Sequence, residues 1–295
     1  MEHITNGKKS KNQFLKISGA GPLFLLPSAA GFIIFFIWPF LSSIKYSLFD
    51  RAMGGSFAGL TNYAELISNP AYLKGLFNTL RFLGLCIPLS MLCSFSVALA
   101  LQKNKYKTLF TLIFLIPMVI PSGSISFFWN SLFASNGYLN GLITVMGFEA
   151  VDWLESASSM GVIVLIFIWK NLGYNMILFL SGLSSVPVEY YEASKMDGAG
   201  YFNTLIHITV PCMAPTFVIV LIMSVINSFK VFKEIYLLTG SHPNENIYML
   251  QHFMNNLFNN LNYPKLGAAS VFLVFAIGIL SVLFLKTERK AAGYE

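Results

Sequence analysis

Charge is scarce in this chain: only 11% of its 295 residues are Asp, Glu, Lys or Arg, against about 25% in an average soluble domain. The apolar share is 55%, more than a soluble fold of this length can hide in one or two cores. Acids are rarest inside the long apolar runs, where Glu234 is the single debatable one. Proton- and sodium-coupled carriers commonly use intramembrane carboxylates, so ion-coupled transport is disfavoured. No G-x-x-x-x-G-K-[ST] loop is present to wrap nucleotide phosphates at a helix N-terminus. H-E-x-x-H, G-x-S-x-G and paired intramembrane carboxylates are missing too, which argues against an enzyme. His3, His207, His242 and His252 are scattered over tail and loop positions and read as solvated or interfacial. Cys86, Cys93 and Cys212 fall in apolar runs and read as small buried hydrophobes. No Cys/His spacing suggests a metal or haem site.

What the chain does have is six long apolar runs. They lie near Leu23–Tyr46, Thr79–Leu101, Leu109–Phe133, Met160–Gly182, Cys212–Phe229 and Leu266–Leu285, and a helix crosses a bilayer in about 20 residues. The fifth is short unless it continues past Lys230 toward Leu238. The runs are continuously apolar, whereas barrel strands would alternate over about 10 residues. The expectation is an all-α integral membrane protein with six transmembrane helices. Lys8, Lys9, Lys11 and Lys16 in the N-terminal tail, Lys103, Lys105 and Lys107 after the second run, and Lys286, Arg289 and Lys290 near the end share one side. Positive charge in short loops marks that side, and with it both termini, as cytoplasmic. The opposite connection at 134–159 holds Glu149, Asp152 and Glu155 and no Lys or Arg. The net charge of +6 therefore reads as topology and attraction to the lipid bilayer. Dispersed over separate tails and loops, it does not read as a nucleic-acid surface. The first apolar run is too long for the core of a cleaved signal peptide.

The connection between the fourth and fifth runs, 184–211, is too long for a plain bundle loop, which takes about 2–8 residues. Ser185 reads as the cap of a short helix that takes Pro187 in its first turn and Glu189 at its positive end. Glu192 and Lys195 are spaced for an i,i+3 pair. Asp197-Gly198 breaks that helix, with Asp197 able to cap the next one. A second short helix with Phe202, Leu205, Ile206 and Thr209 on one face would lie against the membrane until Pro211. Two readings stand on these residues: an interfacial elbow that orients two spans, or a rigid knob that receives force from a cytoplasmic partner.

Glu192-Ala193-Ser194-x-x-Asp197-Gly198-Ala199, followed by Ile208-x-Val210-Pro211, resembles the EAA loop of permease subunits of binding-protein-dependent ABC importers. That family's pattern is E-A-A-x-x-D-G-A and then I-x-L-P; this chain departs from it at Ser194 and Val210. Leu25-Leu26-Pro27, Trp38-Pro39, the stretch from Phe57 to Tyr63, Asn78-Thr79-Leu80, Pro117 to Pro121, Trp169 to Met176 and Leu237 to Gly240 are similar to the sugar-permease branch. The resemblance implies the type I ABC-importer transmembrane fold and a place in the bacterial cell membrane. It divides the chain into a cytoplasmic basic tail (1–20), a first helix outside the core (21–48), an extracytoplasmic segment (49–74), a core (75–286) and a cytoplasmic tail (287–295). It also implies a second permease subunit, two ATP-binding cassette ATPases that hold ATP and Mg, and an extracytoplasmic solute-binding protein. No cofactor would reside in this chain. Glu192, Ala193, Ser194, Asp197, Gly198 and Ala199 would be the ATPase-coupling residues.

A sugar path needs amides, hydroxyls and rings facing the bundle interior. Trp169, Asn171, Tyr174 and Asn175 in the fourth run and Ser224, Asn227 and Ser228 in the fifth supply them. The competing reading is glue, in which Asn and Ser bond between helices. Lys170 is costly against lipid, so it snorkels or faces a wet cavity. Lys230 and Lys233 are placed at the outer interface, where lining a mouth would favour a phosphorylated or acidic solute. Pro117 and Pro121 kink or unwind the third run, as a gate or as static packing. The Asn-rich segment 240–264, with Asn255, Asn256, Asn259 and Asn260, is a place for the binding protein to touch. The expected function is import of a sugar or oligosaccharide. Its rivals are the same architecture for glycerol 3-phosphate, a polyamine or iron, a secondary carrier working alone, and an assembly factor.

Overall fold

A computed structural model of the protein describes residues 21–291, and among them the only β-pairing is an isolated bridge between Phe49 and Phe57. The expected N-terminal tail, 1–20, with its four lysines and His3, lies outside the described residues, as do residues 292–295. The first span, α1, consists of Gly21–Phe32, a π turn at Ile33–Ile37, and Trp38–Ser47. A short external helix α2 (Thr61–Ile67) leads to the long α3 (Pro70–Leu101). Then come α4 (Lys107–Val119), α5 (Ser122–Phe133), α6 (Tyr138–Val145) and α7 (Ser159–Ser185). The next connection holds α8 (Val188–Met196) and α9, which comprises Tyr201–Thr204, a π turn at Leu205–Thr209, and Val210–Cys212. Beyond it lie α10 (Ala214–Ser228), α11 (Val231–Thr239), α12 (Leu250–Asn259) and α13 (Tyr263–Ala291).

Five stretches are long and apolar enough to cross a bilayer unbroken: Phe24–Ser47, Pro70–Leu101, Ser159–Ser185, Ala214–Thr239 and Tyr263–Phe284. The expected third span is different, because α4 and the α5–α6 unit meet at a 95° bend. Pro121 causes it. Proline has no N–H to donate and drives the residue before it out of the helical region, and Ile120 is extended with ψ 131°. Pro117 sits inside α4 without ending it. The second span starts at Pro70, well before the expected Thr79, because Asn69 caps it by accepting the Ala71 and Tyr72 N–H groups at 2.9 and 3.2 Å. The fifth does run on past Lys230, through a step at Phe229–Lys230 into α11.

Both π turns stand one residue ahead of a proline, Ile33–Ile37 before Trp38-Pro39 and Leu205–Thr209 before Val210-Pro211. The Trp38 N–H reaches back to the Ile33 carbonyl, and the Val210 N–H to that of Leu205. One extra residue per turn absorbs the clash a proline ring makes with the carbonyl four positions earlier. The helical path therefore continues through Pro211, which does not end it as expected.

Helices in lipid gain little from burying apolar surface and associate by close packing instead. The largest interface joins α3 to α7. It is studded with edge-on ring pairs, Phe82 with Phe167 at 5.5 Å and Phe95 with Phe179 at 5.3 Å. α4 crosses α7 at Gly173, where a Cβ would overlap the Phe114 carbonyl oxygen. α1 packs chiefly along α13 and leaves Phe24, Leu25, Phe35 and Phe36 exposed. Cys86 is buried as expected, but Cys93 is half-buried and Cys212 exposed.

Toward the ends of the spans and beyond them, asparagines do the joining. Asn78 donates to the Glu245 and Tyr248 carbonyls at 2.7 and 3.0 Å. Asn140 donates to the carbonyls of Ala134, Ser135 and Val151, and accepts from the Val151 N–H and the Trp153 indole. The Asn-rich segment expected as an open loop is folded into α12, with Asn256 bonded to the Ser241 carbonyl at 3.2 Å. His252 on α12 is fully buried, not solvated as expected. Its Nδ1 accepts the Met249 N–H at 3.1 Å, its ring stands edge-on to Phe232 at 4.8 Å, and its Nε2 has no hydrogen-bond partner. Burial, with repulsion from His242 second, pulls its pKa from 6.5 down to about 4.

This packing can be tested at two points. Gly173→Val should lower the thermal stability of the detergent-solubilised protein by about 1–3 kcal/mol or prevent its accumulation. Gly161→Val, where a side chain meets open space, should not. Because the folded state holds His252 neutral while an unfolded chain protonates it near 6.5, stability should fall as pH drops from about 6.5 toward 4. At pH 5 the loss is about 2 kcal/mol relative to neutral. Unfolding midpoints measured across that range should lose this slope in His252→Gln.

Candidate functional site

Two sets of residues stand out, one at the base of the bundle and one in its interior. At the base, α7 runs through Ser185, whose hydroxyl donates to the Gly182 carbonyl at 2.7 Å. Ser185 therefore closes α7, and Pro187 occupies the N-cap position of α8 instead. α8 ends in a Schellman turn. Gly198 has φ +71°, its N–H reaches the Lys195 carbonyl at 3.1 Å, and the Ala199 N–H reaches that of Ser194 at 2.9 Å. Asp197 is the C-cap residue of α8, so it finishes this helix and does not cap the next. Glu192 and Lys195, expected to pair, make no ion pair among the described residues.

Ser194 is the only buried residue of α8. Its hydroxyl meets that of Thr204 at 2.9 Å and latches α8 onto α9. Tyr191, Leu205 and Val210 pack on a buried cluster that includes Leu183, Val186 and Met213 near the ends of α7 and α10. On α9 Leu205 and Thr209 face inward, while Phe202 and Ile206 are exposed, so the expected single face is split. Glu192, Ala193, Asp197 and Gly198 stay exposed and Ala199 is half-buried. A groove of about 580 Å³ runs beside Ala193, Asp197 and Ala199, with His207 and Cys212 across it.

In the interior, Lys170 of α7 forms an ion pair with Glu234 of α11. Ser122, the first residue after the break at Pro121, donates its hydroxyl to the same Glu234 carboxylate at 2.9 Å and lies 3.2 Å from the Lys170 ammonium. The Glu234 side chain is only 5% exposed. A lone charge there would carry a desolvation cost of several kcal/mol, at least partly offset by its partner and the hydroxyl. The pair borders two neighbouring chambers that share Lys170, Lys230 and Glu234 in their walls. The deeper one, about 200 Å³, adds Asn171, Asn227 and Lys230; the wider one, about 570 Å³, adds Lys230, Lys233 and Gln251.

The other expected path residues are placed differently. Asn175 is fully buried and donates to Ser90 at 3.2 Å and to Ser224 at 3.1 Å, tying α3, α7 and α10 together. Ser228 is buried and bonds the Val225 carbonyl at 2.6 Å. Trp169 stacks on Phe128 at 6.3 Å and meets Trp129 edge-on at 5.2 Å. Tyr174 is half-buried on α7. Of the seven, Asn171 and Asn227 line the chambers.

Residues 87–286 match the family of binding-protein-dependent transport system inner membrane components. The chain belongs to this family. This permease is 30% identical to an arabinooligosaccharides transport system permease protein of Bacillus subtilis, over 96% of this chain and 93% of that one. It is 27% identical to a lactose transport system permease protein of Rhizobium radiobacter, over 97% and 99% of the two chains. Its fold is that of a chain in the crystal structure of a bacterial ABC transporter for alginate import, with a TM-score of 0.80 at 22% identity over 91% and 94% of the two chains.

The ion pair generates a test. Lys170→Met or Glu234→Met alone should destabilise the solubilised permease by about 3–5 kcal/mol, since each leaves an unpaired buried charge. The double substitution should recover most of that loss in a thermal double-mutant cycle.

Proposed function

We propose that this permease is the pore-forming subunit of an ATP-driven importer of a sugar or oligosaccharide. The observation that carries the proposal is the loop at α8. Its residues Glu192, Ala193, Asp197 and Gly198 are exposed, yet Ser194–Thr204 latches α8 onto α9, and the apolar cluster beneath fastens the loop to α7 and α10. Such a knob can take load without folding away. A second permease subunit would complete the path, two ATPases would bind ATP and Mg and grip one knob each, and an extracytoplasmic binding protein would deliver solute. Small Ala193 and Gly198 would let the ATPase surface approach closely. The loop lies at the same bundle end as Lys103, Lys105 and Lys107, and positive charge there supports a cytoplasmic assignment for it and for both termini.

Relatives named for arabinooligosaccharide and lactose transport support a saccharide as cargo. Asn171 and Asn227 would hydrogen-bond its hydroxyls from the chambers. Asn175 and Ser224 would act instead as glue between spans.

Ala193→Trp and Gly198→Trp in the assembled importer should abolish ATP-driven solute uptake while the permease remains in the membrane. No described residue crowds Gly198, but its φ of +71° strains any side chain placed there, whereas Ala193 keeps ordinary helical geometry on an exposed face. The Ala193 variant therefore reports on a partner more than on folding. Uptake at the unsubstituted rate in both variants, measured with labelled solute in vesicles, would remove the coupling role.

A further inference from the structure

The charge inventory of the two chambers is lopsided. Three ammonium groups, Lys170, Lys230 and Lys233, line them against one carboxylate, Glu234. Glu234 is already engaged by Lys170 and Ser122. Lys230 and Lys233 have no acidic partner among the described residues. The Lys230 ammonium is held at 2.9 Å by the Asn227 side-chain oxygen, a neutral acceptor. Phe229 and Phe232 wall the wider chamber and lower the local dielectric, which strengthens any charge pairing made there. Lys230 and Lys233 are exposed residues that both border the wider chamber, so a neutral cargo would leave their charges to solvent. For an anion the arrangement is a receptor. Two fixed charges neutralise it, and the Asn171 oxygen, the Asn227 amide N–H group and Gln251 remain for its hydroxyls.

We propose that the solute is an anionic saccharide, carrying a carboxylate or a phosphate, and that Lys230 and Lys233 bind its charge. This rests on the importer reading above and narrows its cargo. The Lys170–Glu234 pair has a separate part in it: it keeps Glu234 from quenching Lys230 and Lys233, whose positive field then draws the anion into the cleft.

The test uses the complete importer, with its partner permease, ATPases and binding protein, in phosphatidylcholine vesicles. ATP-driven uptake of labelled maltotriose, trigalacturonate and glucose 6-phosphate is compared. One of the two anions should enter at least about tenfold faster than maltotriose, and which one does separates carboxylate from phosphate. Lys230→Gln with Lys233→Gln should cut that uptake about tenfold or more, as expected for losing charge-assisted bonds. Lys230→Arg with Lys233→Arg should retain it, and added salt should weaken it in the unsubstituted protein. Entry of maltotriose alone, or anion uptake undiminished in the Gln variant, overturns the proposal. So does a dependence on the lysines seen only when phosphatidylglycerol is present, which would mean that they hold lipid headgroups. Failure to move either anion also overturns it, if ATP hydrolysis still responds to the binding protein. An assembly without that response fails the importer reading itself.

Discussion

Placing a charge inside an apolar helix bundle is the costliest step in building this protein, and the Lys170–Glu234 pair is how the chain manages it. The ammonium comes from the middle of α7, the carboxylate from α11, and the hydroxyl that completes the set from Ser122 at the start of α5. Each of those positions depends on a break or a long helix elsewhere. Ser122 is available because Pro121 ends the regular path of α4 and turns α5 through 95°. Glu234 comes within reach because the fifth span steps at Phe229–Lys230 and continues as α11. Without the step into α11, Lys170 would lose its carboxylate partner; without the bend at Pro121, the pair would lose only its hydroxyl.

α7 links the two candidate sites. It carries Lys170 and Asn171 at the chambers, Gly173 and Asn175 at its crossings with α4, α3 and α10, and Ser185 at its end, where the loop to α8 begins. On the importer reading, a push on α8 reaches the chambers through one continuous helix. The Schellman turn at Gly198 and the Ser194–Thr204 contact keep the knob from yielding first. Ser194 stands where the resemblance expects alanine, and its hydroxyl adds a bond that alanine lacks.

Much of this architecture is legible in the residues alone. Apolar run length locates the spans because hydrocarbon thickness is a fixed ruler. The Asp197-Gly198 break is readable because only glycine takes φ +71° at little cost. The ion pair is half legible. An intramembrane lysine demands a partner, and Glu234 is the single acid within reach of an apolar run, so the two scarcities point at each other. Pairing Glu192 with Lys195 fails because an exposed pair gains too little to organise side chains. His252 is misread because a histidine between spans looks solvated until α12 is known to fold down over Phe232.

The sequence by itself determined the class of molecule and most of its spans, and it marks the loop proposed as a partner's grip. All three rest on local quantities: hydropathy over about 20 residues, loop charge, and a glycine where the backbone must turn left-handed. Only the tertiary structure decided which polar side chains serve the fold and which face open space. Asn171 and Asn175 are one turn apart on α7 and look alike in the sequence. One lines a chamber, and the other is sealed between Ser90 and Ser224. The difference is the crossing geometry of α3, α7 and α10, and no residue on α7 encodes that alone.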